Sequence, residues 1–323
     1  MKIVITDYEY PDIEREKQIA AAAGFELEGY HVTKPEDILR VAGDADAIIN
    51  QYADLNREVI AQLKNCKVMI KYGIGINNMD KDAAAEQGIY VCNIPDYGID
   101  EVSNHAIAMM MALSRKLRQA DMAIRAGHWG YDSMVPCLRM EGQTLGIVGF
   151  GRIGSTVAEK MKNFNVRILT YDPLVQKIGK HPSGAEFVDF ETLCRESDYI
   201  TLHCPLEERT YHLFDTKALS LMKKTAFLIN TARGPIIDEA ALIQALSQHT
   251  IAGAGIDVYE NEPLAPKHPF LTMENMILSG HAAFYSEKSM EVLQEKAALE
   301  AVNVLQGHEP FHPCNHPVAP RNK

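Results

Sequence analysis

The sequence predicts a two-domain α/β protein whose larger part is a doubly wound parallel sheet. Short apolar runs alternate with helix-like stretches along nearly the whole chain, which implies parallel strands joined by helical crossovers. One such unit, TLGIVGFGRIGSTVAEKMKNFNVRILTYD over 144–172, runs from an apolar stretch through Gly149, Gly151 and Gly154 to a second apolar stretch ending in Asp172. At 323 residues the chain exceeds what one core usually serves.

The glycine spacing carries chemistry. The first glycine permits the turn, the second lets a pyrophosphate approach the backbone, and the third lets helix pack on strand. Unpaired N–H groups at the helix N-terminus then face the phosphates. G-x-G-x-x-G alone also marks ordinary strand-to-helix turns, but here the flanking strands and the acid supply the required context. Asp172, eighteen residues after Gly154, is positioned to accept hydrogen bonds from both ribose hydroxyls. Its charge would repel a 2′-phosphate, so NAD is expected rather than NADP.

Charge and composition remove other classes. With 32 Lys and Arg against 43 Asp and Glu, the formal charge of −11 argues against a nucleic-acid or anionic-membrane partner. An anionic substrate would need local positive charge. MKIVITD reads as a first strand rather than a signal peptide, and no apolar stretch approaches the roughly 20 residues of a membrane span. The six cysteines (66, 92, 137, 194, 204, 314) are scattered without a C-x-x-C, as expected of reduced thiols in a cytoplasmic protein.

Taken in order, residues 1–99 place strands at Lys2–Thr6, Ala47–Asn50, Val68–Lys71 and Tyr90–Asn93, with helices such as Glu14–Ala23 and Asn56–Leu63 between them. This is a small α/β unit. The turn Tyr72–Asn78, with Gly73 and Gly75, either frees backbone N–H groups for a small anion or simply joins strand to helix. Asp100–Leu117 carries an apolar stripe (Val102, Ala106, Met109, Met110, Leu113, Leu117) and reads as one amphipathic helix able to face a partner subunit. Ala126–Glu141 reads as an irregular connection with Trp129 as a packing anchor.

From Thr144 six strands follow: Leu145–Phe150, Val166–Tyr171, Tyr199–His203, Ala226–Ile229, Gly253–Val258 and Met276–Leu278. Six is the number expected of a doubly wound dinucleotide domain. The last helix, Ser286–Gln306, is long enough to return to the first unit. The expected division is therefore 1–99 with 287–323 as a substrate-binding domain and 100–286 as the NAD-binding domain, with hinges near 96–101 and 283–288.

Ligands in such sheets sit at the carboxyl ends of strands. Arg233, beside Gly234 at a strand end, suits a bidentate grip on a carboxylate. A His–Glu pair is the usual way to hold a proton near neutral pH, and His281 and Glu262 offer one. His203-Cys204-Pro205 and Asp257 also follow strands. Each has an ordinary alternative as a surface ion pair, loop acid or satisfied core residue. At the C-terminus His308, His312, Cys314 and His316 are interrupted by Pro310, Pro313 and Pro317, which suits an extended tail better than a cage, and no metal is expected.

Together Gly149-Phe-Gly-Arg-Ile-Gly154, Asn230-Thr-Ala-Arg-Gly234, Asp257-Val-Tyr-Glu-Asn-Glu-Pro263 and His281 resemble the D-isomer-specific 2-hydroxyacid dehydrogenase family, in order and over most of the chain. Pro95–Val102 and His281–Glu287 are most similar to the branch that includes the C-terminal-binding proteins. The resemblance implies a Rossmann NAD domain beside a smaller flavodoxin-like domain. It implies an NAD-dependent oxidoreductase in which Arg233, Glu262 and His281 are catalytic. By the same resemblance Arg152 and Ile153 meet the pyrophosphate, and Asp172 meets the ribose. His203, Cys204, Pro205 and Thr210 lie on the adenosine side, Thr231, Ala232 and Arg233 on the nicotinamide side, with Asp257 near the carboxamide and His281 beside the ring. Ile74 and Gly75 match the turn that receives the substrate carboxylate, and Tyr52 and Phe284 flank its side chain. Phe284 stands where that branch often has tryptophan, Asn77-Asn78 where the family often has Asp-Asn, and Gly280 where it often has proline. A small 2-oxo or 2-hydroxy acid is the implied substrate and a homodimer through helix 100–117 the implied assembly. An NADH-responsive corepressor on the same fold is the alternative.

Overall fold

The computed structural model describes residues 1–172, 179–181 and 183–321. The chain divides into two compact units, Met1–Gly98 with Ser286–Lys323, and Ile99–Tyr285.

The first unit holds β1 (Lys2–Ile5), β2 (Glu26–Gly29), β3 (Ala47–Asn50), β4 (Val68–Lys71) and β5 (Tyr90–Cys92), in the order β2-β1-β3-β4-β5. Every pairing is parallel. The inner strands are continuous apolar runs because both faces are covered. Ile3, Ile5, Ala47, Ile49, Val68 and Ile70 pack to one side, and Val4, Ile48 and Met69 to the other. β2 is absent from the sequence reading, since Glu-Leu-Glu-Gly has no apolar run. It is an edge strand, where exposed charge discourages pairing with other chains.

The helix Glu287–Leu305 belongs to this unit. Ser286 and Ser289 close a reciprocal cap, each side-chain oxygen accepting the other's backbone N–H at 2.9 Å. Leu293, Ala297, Ala301 and Val304 then lie against β3, β4 and the helix Glu14–Ala22.

The second unit holds β6 (Thr144–Val148), β7 (Arg167–Tyr171), β8 (Gly179–Lys180), β9 (Glu186–Phe187), β10 (Tyr199–Leu202), β11 (Phe227–Asn230), β12 (Gly253–Ile256) and β13 (Met276–Leu278). Their order is β13-β12-β11-β10-β6-β7-β9-β8, parallel except for the β8–β9 pair. Strand order reverses beside β6, so its carboxyl end opens onto the crevice where such sheets bind ligands. The two strands beyond the six read from the sequence are two residues long, too short to leave a periodic signal.

Two expectations are corrected. The helix predicted over 100–117 spans Ile99–Ser114 and breaks where Lys116 takes a left-handed conformation (φ 48°). A second helix then covers Leu117–Arg125. The stripe of the first helix is used inside its own unit, with Ala106, Met109, Met110 and Leu113 packed on Leu145, Ile147 and Ile229. Exposed apolar side chains gather further along, at Leu117, Met122, Ile124, Trp129, Tyr131, Val135 and Leu138. Trp129 is 93% exposed, so among the described residues it is not a packing anchor. Among the described residues no helix is long and apolar enough to cross a membrane, and no three His, Cys, Asp or Glu side chains are grouped to hold a metal.

Candidate active site

The glycine loop follows β6. Gly149 has φ +88°, and a Cβ there would stand 2.5 Å from the Cys204 nitrogen; at Gly154 it would stand 2.1 Å from the Gly149 carbonyl oxygen. Both positions exclude any side chain. At Gly151 nothing lies within 4 Å of where a Cβ would be. This residue caps the helix Arg152–Met161 with no side-chain acceptor, so the first N–H groups, including those of Ile153 and Gly154, have no cap. Asp172, one residue beyond β7, accepts from Phe150 N at 3.0 Å and so stands against the loop.

After β10, the thiol of buried Cys204 is pushed up to about 12 by burial, which makes it unreactive. Thr210 is wholly buried, and its hydroxyl is spent on its own turn: it donates to Pro205 O and accepts from Glu207 N, each at 2.7 Å. His203 pairs through Nε2 with Thr201 Oγ1 at 2.9 Å, while Nδ1 is buried and has no partner among the described residues. Burial pushes this imidazole down to about 3, so it is neutral near pH 7. Thr231 Oγ1 is likewise buried without a partner.

Three strand ends bring the proposed reactive groups together. Asn230 closes β11 and staples the next turn: its side chain donates to Arg233 O at 2.8 Å and accepts from Ala232 N at 3.0 Å. Arg233 Nη1 donates to Ala232 O at 2.6 Å. Gly234 is required by close approach, since a Cβ would fall 1.9 Å from the Tyr259 carbonyl carbon. That contact seats the 259–262 segment, where Glu262 Oε1 accepts from Tyr259 N at 2.9 Å. Glu262 Oε2 lies 2.6 Å from His281 Nδ1. Burial pushes the Glu262 carboxyl up. The hydrogen bonds from His281 and Tyr259 N, with the charges of His281 and Arg233, outweigh this and hold it below its ordinary value.

His281 itself has φ +52°, a conformation that costs a non-glycine residue about 1–3 kcal/mol and persists only where its surroundings impose it. They do so here through Asp257, 1% exposed, which immediately follows β12. Asp257 O accepts from His281 N at 2.6 Å, and its carboxylate accepts from Ser279 Oγ at 2.5 Å, Ala282 N at 2.9 Å and Ala283 N at 3.0 Å. The acid that the resemblance places near a carboxamide is thus engaged on the loop bearing His281. Phe284 meets that imidazole edge-on at 6.3 Å.

In the first unit Tyr52 follows β3 with its backbone N–H on Asp7 Oδ2 and its hydroxyl 2.9 Å from Glu9. The Ile74–Gly75 turn follows β4, fixed by Asn93 Nδ2 donating to Ile74 O at 2.7 Å. Lys71, which the sequence reading passed over as a strand residue, places its ammonium 3.0 Å from Asn78 Oδ1, on Gln51 O, and over the Tyr52 ring at 5.8 Å.

Comparison with known proteins defines the class. Residues 107–283 match the NAD-binding domain of the D-isomer specific 2-hydroxyacid dehydrogenases. A glyoxylate reductase of Korarchaeum cryptofilum (strain OPF8) is 37% identical over 285 residues, covering 87% of this chain and 86% of that protein. Two solved structures are similar throughout. A glyoxylate reductase from Paecilomyes thermophila has TM-score 0.87 and 27% identity, covering 97% of this chain and 98% of its own. D-lactate dehydrogenase from Aquifex aeolicus, solved with NAD and lactic acid, has TM-score 0.84 and 26% identity, covering 94% and 96%.

This chain belongs to the D-isomer specific 2-hydroxyacid dehydrogenase family. It is an NAD-dependent oxidoreductase of 2-hydroxy acids. The residues present fit that cofactor: the open face at Gly151, the uncapped helix start and the buried, unpartnered Thr231 hydroxyl are what a dinucleotide would complete.

Proposed function

We propose that the enzyme interconverts a small 2-oxo acid and its D-2-hydroxy acid with His281 as the acid/base. The 2.6 Å Glu262–His281 pair carries this reading. A carboxylate only accepts, so Nδ1 bears a proton and Nε2 is the nitrogen left to exchange one with substrate. Bound NADH supplies the hydride to C2. In reduction, His281 gives its Nε2 proton to the oxygen that becomes the hydroxyl. Arg233 fixes the substrate carboxylate and stabilises the developing oxyanion, which is positioning plus electrostatics. Glu262 orients the imidazole by accepting its Nδ1 proton.

For the substrate we assign Ile74 and Gly75 backbone N–H groups to the carboxylate, Tyr52 and Phe284 to the side chain, and Lys71 to the local positive charge that an acidic protein needs. Glyoxylate and its near homologues are the first candidates, because relatives along most of the chain carry that activity in their names. NADH oxidation measured with glyoxylate, pyruvate, hydroxypyruvate, phenylpyruvate and branched 2-oxo acids tests this. Activity with none of them overturns it. No observation favours the binding-protein alternative.

We further propose a homodimer, with the exposed apolar side chains of 117–138 rather than the stripe of 99–114 as its contact. Six free thiols suit a reducing compartment, and we assign the enzyme to the cytoplasm.

A further inference from the structure

We propose that His105 is a positioning residue for the acid/base loop, acting through Ser279 and Asp257. The inference rests on the reading of His281 as acid/base. His105 stands half-buried on the helix Ile99–Ser114, next to buried Ala106, and its Nε2 lies 2.9 Å from Ser279 Oγ. Ser279 Oγ lies 2.5 Å from Asp257 Oδ1. The direction of both bonds follows from the donor inventory. An ionised carboxylate can only accept, so the single Ser279 proton goes to Asp257 and the Ser279 oxygen is left to accept the Nε2 proton of His105.

The chain of bonds therefore runs His105 to Ser279 to Asp257, and Asp257 is the group that holds the strained loop. Its backbone oxygen receives His281 N, and its side chain receives Ala282 N and Ala283 N. Tyr259 fixes the same loop from another side by donating its hydroxyl to Ser279 O at 2.8 Å. A carboxylate buried to this degree depends on its donors, and hydrogen bonds in series strengthen one another. Removing the His105 donor leaves the Ser279 hydroxyl free to rotate off Asp257. The 279–283 loop then loses its fixed register and His281 its reach, while the cofactor loop after β6 is untouched.

The test uses the full chain with NADH and the fastest 2-oxo acid of the screen above. His105→Leu keeps bulk without a donor, and His105→Gln returns an amide N–H at a similar reach. We expect His105→Leu to lose about tenfold in kcat while the Kd for NADH moves by less than about twofold, and His105→Gln to recover most of the loss. Ser279→Ala, a smaller change that keeps the test open if His105→Leu does not fold, should fall to the same level. The double variant should be no worse than Ser279→Ala alone. Unchanged kcat in His105→Leu and Ser279→Ala, equal damage in the Leu and Gln variants, or additive losses in the double variant would each overturn the proposal. His281→Ala separates the two failures. If it keeps turnover, the acid/base reading falls. If it is inactive while His105→Leu keeps the kcat of the unaltered enzyme, only the role of His105 falls.

Discussion

Glu262 Oε2 and His281 Nδ1 are 2.6 Å apart, although one residue lies on the segment after β12 and the other on the loop after β13. The imidazole helps to hold the Glu262 carboxyl below its ordinary value. Reduction should fall as pH rises and oxidation should show the opposite trend. In Glu262→Gln, which takes away the carboxylate that orients the imidazole, reduction should be slower across the range. Profiles of kcat/KM against pH for the two proteins check this, and superimposable curves would remove Glu262 from the role. The pair also bears on acid stability: a depressed carboxyl contributes stability that is complete above its unfolded value and lost as pH drops through the folded one.

We assign cofactor choice to Asp172. Asp172→Asn keeps an acceptor for Phe150 N but removes the charge. Loss of one charge-assisted hydrogen bond corresponds to about tenfold in kcat/KM for NADH, and discrimination against NADPH should shrink with it. Steady-state kinetics with both cofactors decide it. Equal use of NADH and NADPH by the unaltered enzyme would refute the assignment.

Two glycines should behave in opposite ways. Gly234→Ala drives a Cβ into the Tyr259 backbone, where no flexible side chain can yield, and should cost about 1–3 kcal/mol with a large loss of turnover as Glu262 moves. Gly151→Ala meets no protein atom and should fold normally yet bind NADH weakly. Thermal melting and NADH fluorescence titration read the contrast.

His203 should make the free enzyme acid-sensitive. Its folded value of about 3 lies below the ordinary histidine range, so between the two the unfolded chain binds a proton that the folded chain refuses. Stability should be complete above about pH 6.5 and decline as pH falls toward 3, by about 2 kcal/mol at pH 5. Urea unfolding of the enzyme and of His203→Asn at pH 7 and pH 5 should show a steeper decline in the former.

Ile124→Glu places a charge among the exposed apolar side chains of the second helix. It should convert a micromolar dimer to monomer in sedimentation velocity. A monomeric unaltered protein would contradict the proposed assembly.

Features set by neighbours in sequence were legible, and features set by distant partners were not. The run from Thr144 to Asp172 could be read because strand, glycine turn, helix and acid are consecutive and each glycine has a local reason. β2 could not, since an edge strand with two glutamates has no apolar pattern, and neither could two-residue β8 and β9. The break at Lys116 has no glycine or proline to announce it. Trp129 was misread because an aromatic residue between glycines is equally at home in a core or on a surface. Arg233, Glu262 and His281 stood out by type and by strand-end position. Asn230, quoted only as part of a motif, turns out to staple the Arg233 turn, a role suggested by an amide at a strand end. His105 carried no signal at all: its partner Ser279 is 174 residues away, and on a helix otherwise read for its apolar stripe it passes as a surface residue.

The helix Glu287–Leu305 gives the first unit a schedule as well as a core. During synthesis, β1, β3 and β4 leave the ribosome early, yet Leu293, Ala297 and Ala301, which cover one side of them, follow only after all of Ile99–Tyr285 has been made. At ordinary translation rates that delay is on the order of ten seconds or more, long enough for the intervening unit to fold first. The nascent chain therefore carries a half-covered sheet through most of its production. Chaperone dependence should follow from the order of the gene rather than from any weakness of the finished fold.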